Sequence, residues 1–261
     1  MKISRSAEKR SLGNGSLRRA DQAGGRLGGQ VALVTGATRG IGLAIARALA
    51  AQGCDLVLSG RNESALRRAG RELTPAKIQI LAQPCDVRDP QSVDDLFRSL
   101  RRQCKRLDIL VNNAGIAHPD LTVDKLPLPL WQDVIETNLT GMFLVTQAAL
   151  AIMKRGATIV NNLSIAANRV FPGSAAYNAS KHGALGFTNT LREELRPKGI
   201  RVIALLPGAT DTDIWNTFWP QAPRKKMMSP AMVAEAVVQA ILLPPNATVE
   251  TLEILPTAGT L

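Results

Sequence analysis

Aromatic side chains are scarce in this chain: one tyrosine, three tryptophans and five phenylalanines among 261 residues, 3% in all. So few rings leave no platform on which successive bases would stack, which excludes the usual single-strand nucleic-acid surface. Cysteine is scarcer still. Cys54, Cys85 and Cys104 are odd in number and lack C-x-x-C spacing, which excludes a disulfide framework and a zinc knuckle and suits a reducing cytoplasm. No stretch reaches the roughly 18 apolar residues of a membrane span. The most apolar helical run, 142–153, is interrupted by Thr146 and Gln147 and reads as a core helix. The basic N-terminus has no continuous apolar segment and does not read as a secretory signal.

Acidic residues are also in deficit, with 21 against 32 lysines and arginines and a net charge of +11. The location of the excess decides its meaning. Residues 1–30 hold Lys2, Arg5, Lys9, Arg10, Arg18, Arg19 and Arg26 against only Glu8 and Asp21. The rest is spread along helical segments, so it reads as solvated surface, with no nucleic-acid or membrane partner expected. Such a balance suits phosphorylated cofactors.

A hydrophobic content of 45% over this length supports a full core. Residues 1–29, rich in Gly, Ser and Arg without apolar periodicity, read as a disordered basic extension. From residue 30 the pattern changes. Strand-like apolar runs recur at 31–35, 55–58, 78–81, 109–111, 158–163, 201–206 and 252–255. Helical spacing fills 41–52, 62–73, 90–105, 130–154, 175–196 and 230–243. Strands apolar on both faces and alternating with helices predict one α/β domain, 30–261, built on a doubly wound parallel sheet of about seven strands of Rossmann type. An irregular segment, about 211–229, is set apart by Ile214, Trp215, Phe218, Trp219, Met227 and Met228, and reads as an apolar lid over a substrate pocket. The other expected walls are 116–119 and 165–171.

Two local patterns carry chemistry. The first is Thr35-Gly36-Ala37-Thr38-Arg39-Gly40-Ile41-Gly42, between a strand and a helix. Glycine permits the tight turn, the approach of backbone to a pyrophosphate, and close helix–strand packing; the helix N-terminus then offers free N–H groups. At the end of the second strand, where a carboxylate would receive a ribose 2′-hydroxyl, the chain reads Ser59-Gly60-Arg61. Arg61 and Arg39, with Ser59 as an extra donor, suit a 2′-phosphate, which favours NADP(H) over NAD(H). The second pattern is Tyr177-Asn178-Ala179-Ser180-Lys181. Tyrosine and lysine four apart share a helix face, and an ammonium near a phenol stabilises the phenolate and lowers its pKa towards neutrality.

These pieces, with Asp86-Val87, Asn112-Asn113-Ala114-Gly115, Asn138, Ser164, and Pro207-Gly208 followed by Thr210 and Thr212, occur in the order and spacing of the short-chain dehydrogenase/reductase family, which the chain resembles across about residues 30–256. The resemblance implies NADP(H)-dependent hydride exchange between nicotinamide and a ketone or secondary alcohol. Tyr177 would be the general acid in reduction, Lys181 its partner and holder of the nicotinamide ribose, and Ser164 a donor to the substrate oxygen. Asn138 would anchor a water leading to Lys181. Asp86 would meet the adenine amino group with Val87 alongside. Asn113, Ala114 and Gly115 would flank the cofactor, and Pro207, Gly208, Thr210 and Thr212 would lie at its nicotinamide end. No metal is implied. The serine pair common in the family is Leu163-Ser164 here, and a Gly-Gly C-terminal ending is missing.

Three readings stay open on sequence: a carbonyl or 3-oxoacyl reductase, a dehydrogenase of free small alcohols or hydroxyacids, and a non-catalytic NADP-binding protein. For the first, Arg155 and Lys198 are expected to dock an acidic acyl carrier. His118 is expected in a solvent loop and His182 at a structural or interface position. Small residues such as Ala148, Ala149 and Ala184 on 130–154 and 175–196 suit a homotetramer, a dimer being second.

Overall fold

The computed structural model describes residues 25–260. The chain alternates β1 (Val31–Thr35), α1 (Gly40–Ala51), β2 (Asp55–Gly60), α2 (Glu63–Leu73), β3 (Ile80–Pro84), α3 (Pro90–Gln103) and β4 (Leu107–Asn112). It continues with α4 (Leu128–Ile135), α5 (Gly141–Leu150), β5 (Met153–Asn162), α6 (Ala175–Leu195), β6 (Arg201–Pro207), α7 (Trp215–Phe218), α8 (Pro230–Ile241) and β7 (Thr251–Ile254). The seven strands form one sheet in the order β3-β2-β1-β4-β5-β6-β7, with every pairing parallel. The order runs outward in both directions from the β1/β4 pair. A crevice therefore opens at their carboxyl ends, where the crossovers diverge to opposite faces.

Both faces of the sheet are covered. On one side, α1 and α8 pack with α2 over Val34, Leu56 and Leu58; on the other, α3, α5 and α6 cover Leu33, Val57, Leu110 and Ile159. The central strands β1, β2 and β4 are buried almost end to end, which is why they read as continuous apolar runs. Helix starts follow local chemistry. Asp89 accepts from the N–H groups of Gln91 and Ser92 ahead of Pro90, and Asn62 accepts from Ala65 at the start of α2.

Two boundaries differ from expectation. Gly25 to Gly29 form a turn in which Leu27 is buried and its N–H donates to the Gln52 carbonyl at 2.9 Å. The ordered domain thus begins ahead of residue 30; residues 1–24, the bulk of the expected extension, lie outside the described residues. The helix expected over 130–154 is not continuous. Glu136–Thr140 makes a widened π turn between α4 and α5, and β5 starts already at Met153. A π turn inserts one extra residue into the helical spiral, a departure tolerated where side chains must be re-aimed at a site. Among the described residues no helix is long and apolar enough to cross a membrane.

Candidate active site

The carboxyl ends of six of the seven strands converge on one cavity of about 570 Å³, lined at Gly36, Gly60, Cys85, Asn113, Leu163 and Gly208, with the lid segment closing the far side. The first wall is the glycine turn. Gly36 and Gly40 adopt positive φ, +63° and +56°, a region in which a side chain is strained. At Gly42 the reason is space: a Cβ would stand 2.3 Å from Asn113 Nδ2 and 2.5 Å from the Gly36 carbonyl oxygen. Asn113 makes this packing specific. Its Nδ2 donates to the Thr35 and Gly36 carbonyls at 2.9 and 3.1 Å, and its Oδ1 accepts from Asn162 Nδ2 at 2.8 Å. The Thr35 hydroxyl accepts from the N–H groups of Asn113 and Ala114. The ends of β1, β4 and β5 are thereby locked together. Arg39, extended at the N-cap of α1, provides no side-chain cap, so the first N–H groups of α1 remain open to an anion. Gly36, Thr38, Arg39, Gly40 and Ile41 line the cavity; Gly42 does not, and serves packing.

At the opposite end of this groove lie Gly60, Arg61, Asp86 and Val87. Arg61 is exposed. Asp86 is half-buried, and Arg88 Nε and Nη2 donate to its carboxylate at 3.0 and 2.7 Å, holding its pKa below the usual range. Ser59 corrects an expectation. Its side chain is fully buried, its hydroxyl has no hydrogen-bond partner, and it does not line the groove. The period of 2 along β2 explains this: Ser59 faces one side of the sheet, while the strand's last residue, Gly60, and Arg61 after it line the groove. Arg39 is also engaged elsewhere, since its Nη1 donates to Asp213 Oδ2 of the lid at 3.2 Å.

The side chains expected to be catalytic line one cavity. Tyr177 and Lys181 stand one turn apart near the start of α6, and the Ser164 hydroxyl, two residues past the end of β5, faces the phenol across the same cavity. Lys181 is buried; its Nζ donates to the Asn162 carbonyl at 3.1 Å and lies 5.5 Å from the Tyr177 ring centroid. Burial pushes the Tyr177 phenol up, only partly offset by Ser164, and pushes the Lys181 ammonium down to about 8. The expected lowering of the phenol by Lys181 is not seen in this geometry: desolvation disfavours both charged forms, and only Ser164 opposes the rise at Tyr177. Ser164 also accepts from the Ala166 N–H at 3.1 Å, so the hydroxyl both caps a turn and faces the phenol.

Asn138 sits inside the π turn and is buried. Its Oδ1 accepts from the Ile116 N–H at 2.8 Å, while its Nδ2 donates to the Ile116 carbonyl at 2.9 Å and to Ser180 Oγ at 3.0 Å. The side chain therefore clamps the loop after β4 onto α6, with both Nδ2 donors used in doing so. A Cβ on Gly115 would stand 3.3 Å from Asn138 Oδ1, a tight contact, and 3.8 Å from Lys181 Nζ, an ordinary one.

The lid is aromatic. Phe218 packs on Tyr177 with ring centroids 5.9 Å apart, and Trp215 packs on Phe218 and Trp219 at 5.7 and 6.4 Å. Trp215 Nε1 donates to the Thr210 carbonyl. Arg224 ties the segment together, donating to Asp211 Oδ1, the Thr212 carbonyl and Asn216 Oδ1. Thr210 and Thr212 line the cavity with Pro207 and Gly208. Met227 and Met228, expected in the lid's apolar face, do not; Met228 is buried in the core beside α8.

Of the remaining expectations, His118 is not in solvent. It is buried, with Nδ1 2.7 Å from the Pro119 carbonyl oxygen, and outside the cavity lining. His182 is exposed and hydrogen-bonds the Asn178 carbonyl at 2.9 Å. Arg155 reaches the Pro197 carbonyl and packs on Gly199. It and Lys198 thus lie at the starts of β5 and β6, the opposite end of the sheet from the cavity. Sequence reasoning missed Asn162, Thr137 and Asp120, all of which line the cavity. Two asparagines ending an apolar strand were the readable signal for the first; the others carry no pattern.

The family model for short chain dehydrogenase matches residues 30–223. A putative ketoacyl reductase of Streptomyces coelicolor is 38% identical over 253 residues, covering 88% of this chain and 96% of that protein. The crystal structure of an alcohol dehydrogenase from the archaeon Thermococcus sibiricus, complexed with 5-hydroxy-NADP, superposes with a TM-score of 0.82 at 30% identity, covering 87% of this chain and 97% of that one. A 3-ketoacyl-(acyl-carrier-protein) reductase from Brucella melitensis, complexed with NADH, gives 0.80 at 29%, covering 88% and 98%. The chain belongs to the short-chain dehydrogenases and is an oxidoreductase of that family.

Proposed function

We propose, on the premise that the chain is a short-chain dehydrogenase, that it uses NADP(H) to interconvert a ketone and a secondary alcohol, working as a reductase of apolar carbonyl or 3-oxoacyl substrates. The observation that carries this is that Ser164, Tyr177 and Lys181 face the same cavity as the glycine turn. The turn fits a dinucleotide: its close approach is made by glycines that admit no Cβ, and α1 presents free N–H groups. Gly36, Thr38, Gly40 and Ile41 would hold the pyrophosphate, Asp86 and Val87 the adenine, Arg39 and Arg61 a 2′-phosphate, and Asn113, Ala114, Gly115, Pro207, Gly208, Thr210 and Thr212 the nicotinamide half. When bound, the cofactor supplies or accepts the hydride.

The chain's own residues handle the proton. In reduction Tyr177 gives its phenolic proton to the carbonyl oxygen, and its raised pKa keeps that proton in place at neutral pH. Ser164 donates a hydrogen bond to the same oxygen as charge develops there. Lys181, still mostly protonated at pH 7, stabilises the phenolate left behind. The lid rings exclude water and favour an apolar group beside the carbonyl. The choice of NADP(H) rests on Arg39, Arg61 and the absence of a carboxylate at the end of β2.

Arg155 and Lys198 lie away from the cavity of their own chain, which favours free carbonyl substrates over a carrier docked there. Leu128, Trp131 and Phe143 are exposed apolar residues on α4 and α5; we assign them to the interface of a homotetramer, and a monomer by sedimentation would refute that. The free thiols Cys54, Cys85 and Cys104 suit a cytoplasmic setting. Turnover of NADPH and NADH against 3-oxoacyl thioesters, aryl ketones, α-diketones and small hydroxyacids tests the reading. Faster NADPH oxidation with apolar ketones supports it; NADH preference overturns the cofactor choice, and tight binding without turnover of any member points to the non-catalytic reading.

A further inference from the structure

We propose that Asp213 is a positioning residue for cofactor choice, acting through Arg39; this rests on the NADP(H) reading above. Arg39 is the side chain next to the glycine turn that would meet a 2′-phosphate, and Asp213 holds it at 3.2 Å from a position 174 residues away in sequence. Both line the cavity. The pair is open to water, with side chains 74% and 56% exposed, so its strength is modest and it can be exchanged. It differs from the other bonds of the lid in crossing the groove. Asp211, Thr212 and Asn216 are tied to Arg224 and Trp215 to Thr210, all within the segment, whereas Asp213 joins the segment to the turn that receives the cofactor. Thr212 stands alongside, with its Cγ2 3.2 Å from where a Gly40 Cβ would be.

A phosphate arriving at Arg39 meets a guanidinium already neutralised by a carboxylate, and brings further negative charge next to that carboxylate. Binding a 2′-phosphate therefore trades the Asp213 pair for a phosphate pair, whereas a cofactor with a free 2′-hydroxyl leaves the pair intact. Asp213 taxes the phosphorylated cofactor selectively, and loading that cofactor cuts the one charged link between the turn and the lid.

The test is the dissociation constant of the full chain for NADPH and for NADH, by calorimetry, in wild type, Asp213→Asn, Arg39→Ala and the double variant. The proposal expects Asp213→Asn to tighten NADPH by about two- to fivefold, the worth of an exposed pair, with NADH unchanged, and expects no effect of Asp213→Asn in the Arg39→Ala background. An equal shift for both cofactors, an unchanged NADPH constant, weaker NADPH binding, or a gain that persists without Arg39 would overturn it. The wild-type ratio of the two constants tests the cofactor reading separately: a ratio near one refutes NADP(H) preference, whatever Asp213 does.

Discussion

Replacing Lys181 by methionine should make the protein more stable while it destroys activity. Lys181 is 5% exposed, and burial lowers its ammonium pKa from 10.5 to about 8. Because the folded value lies below the unfolded one, the unfolded chain binds more protons between pH 8 and 10.5. Stability therefore rises with pH across that window, and the cost of the buried charge is present in full below about 8. At pH 7 the shift corresponds to about 3 kcal/mol against folding. Methionine keeps the length and apolar stem without the charge, but leaves the Asn162 carbonyl, which accepts from Nζ at 3.1 Å, without its donor, at a cost of about 1 kcal/mol. A net gain of roughly 2 kcal/mol should raise Tm by roughly 4–8 °C at pH 7, and the gain should shrink towards zero near pH 10. Calorimetry at both pH values reads it. Unfolding at lower temperature than wild type at pH 7, or a gain equally large at pH 10, would refute the view that the cleft holds a desolvated cation at the expense of stability. Active sites store such costs because the charge is needed there.

Three further perturbations address the other walls of the cavity. Gly42→Ala places a Cβ 2.3 Å from Asn113 Nδ2; either the asparagine or the turn must move, costing about 1–3 kcal/mol by denaturant unfolding and weakening both nicotinamide cofactors together. Arg224→Met removes the donors to Asp211, Thr212 and Asn216, and the loosened lid should raise KM for the carbonyl substrate on the order of tenfold, about 1.4 kcal/mol, with kcat affected less. Ser164→Ala should lower kcat by roughly a hundred- to a thousandfold, and a steady-state assay that finds less than a tenfold loss would remove Ser164 from the oxyanion role.

Much of this fold was legible because its signals are local. Strand β1 and the turn after it follow from five apolar residues and three glycines in succession, and a fully buried parallel sheet writes itself as unbroken apolar runs. Tyr177, Lys181 and Ser164 were legible by spacing, and the structure brings them together as that spacing implies. What stayed hidden depends on contacts distant in sequence. The π turn at Glu136–Thr140 leaves no trace in the 3.6-residue period, because its stability comes from Asn138 bonding to Ile116 and Ser180. Ser59 was misplaced because one residue decides which face of a strand a side chain takes. His118 was placed in solvent because a loop position says nothing about what folds over it, and the Arg39–Asp213 pair joins residues that only the tertiary fold makes neighbours.

The central claim is that the Tyr177 phenol, beside Ser164 and Lys181 in the cavity, supplies the proton for carbonyl reduction. Its most direct test is single-turnover NADPH oxidation with the best ketone of the panel, comparing wild type and Tyr177→Phe. The rate should fall by about a hundred- to ten-thousandfold while NADPH still binds. A phenylalanine variant that turns over within tenfold of wild type would contradict the assignment and move the proton donor elsewhere in the cavity.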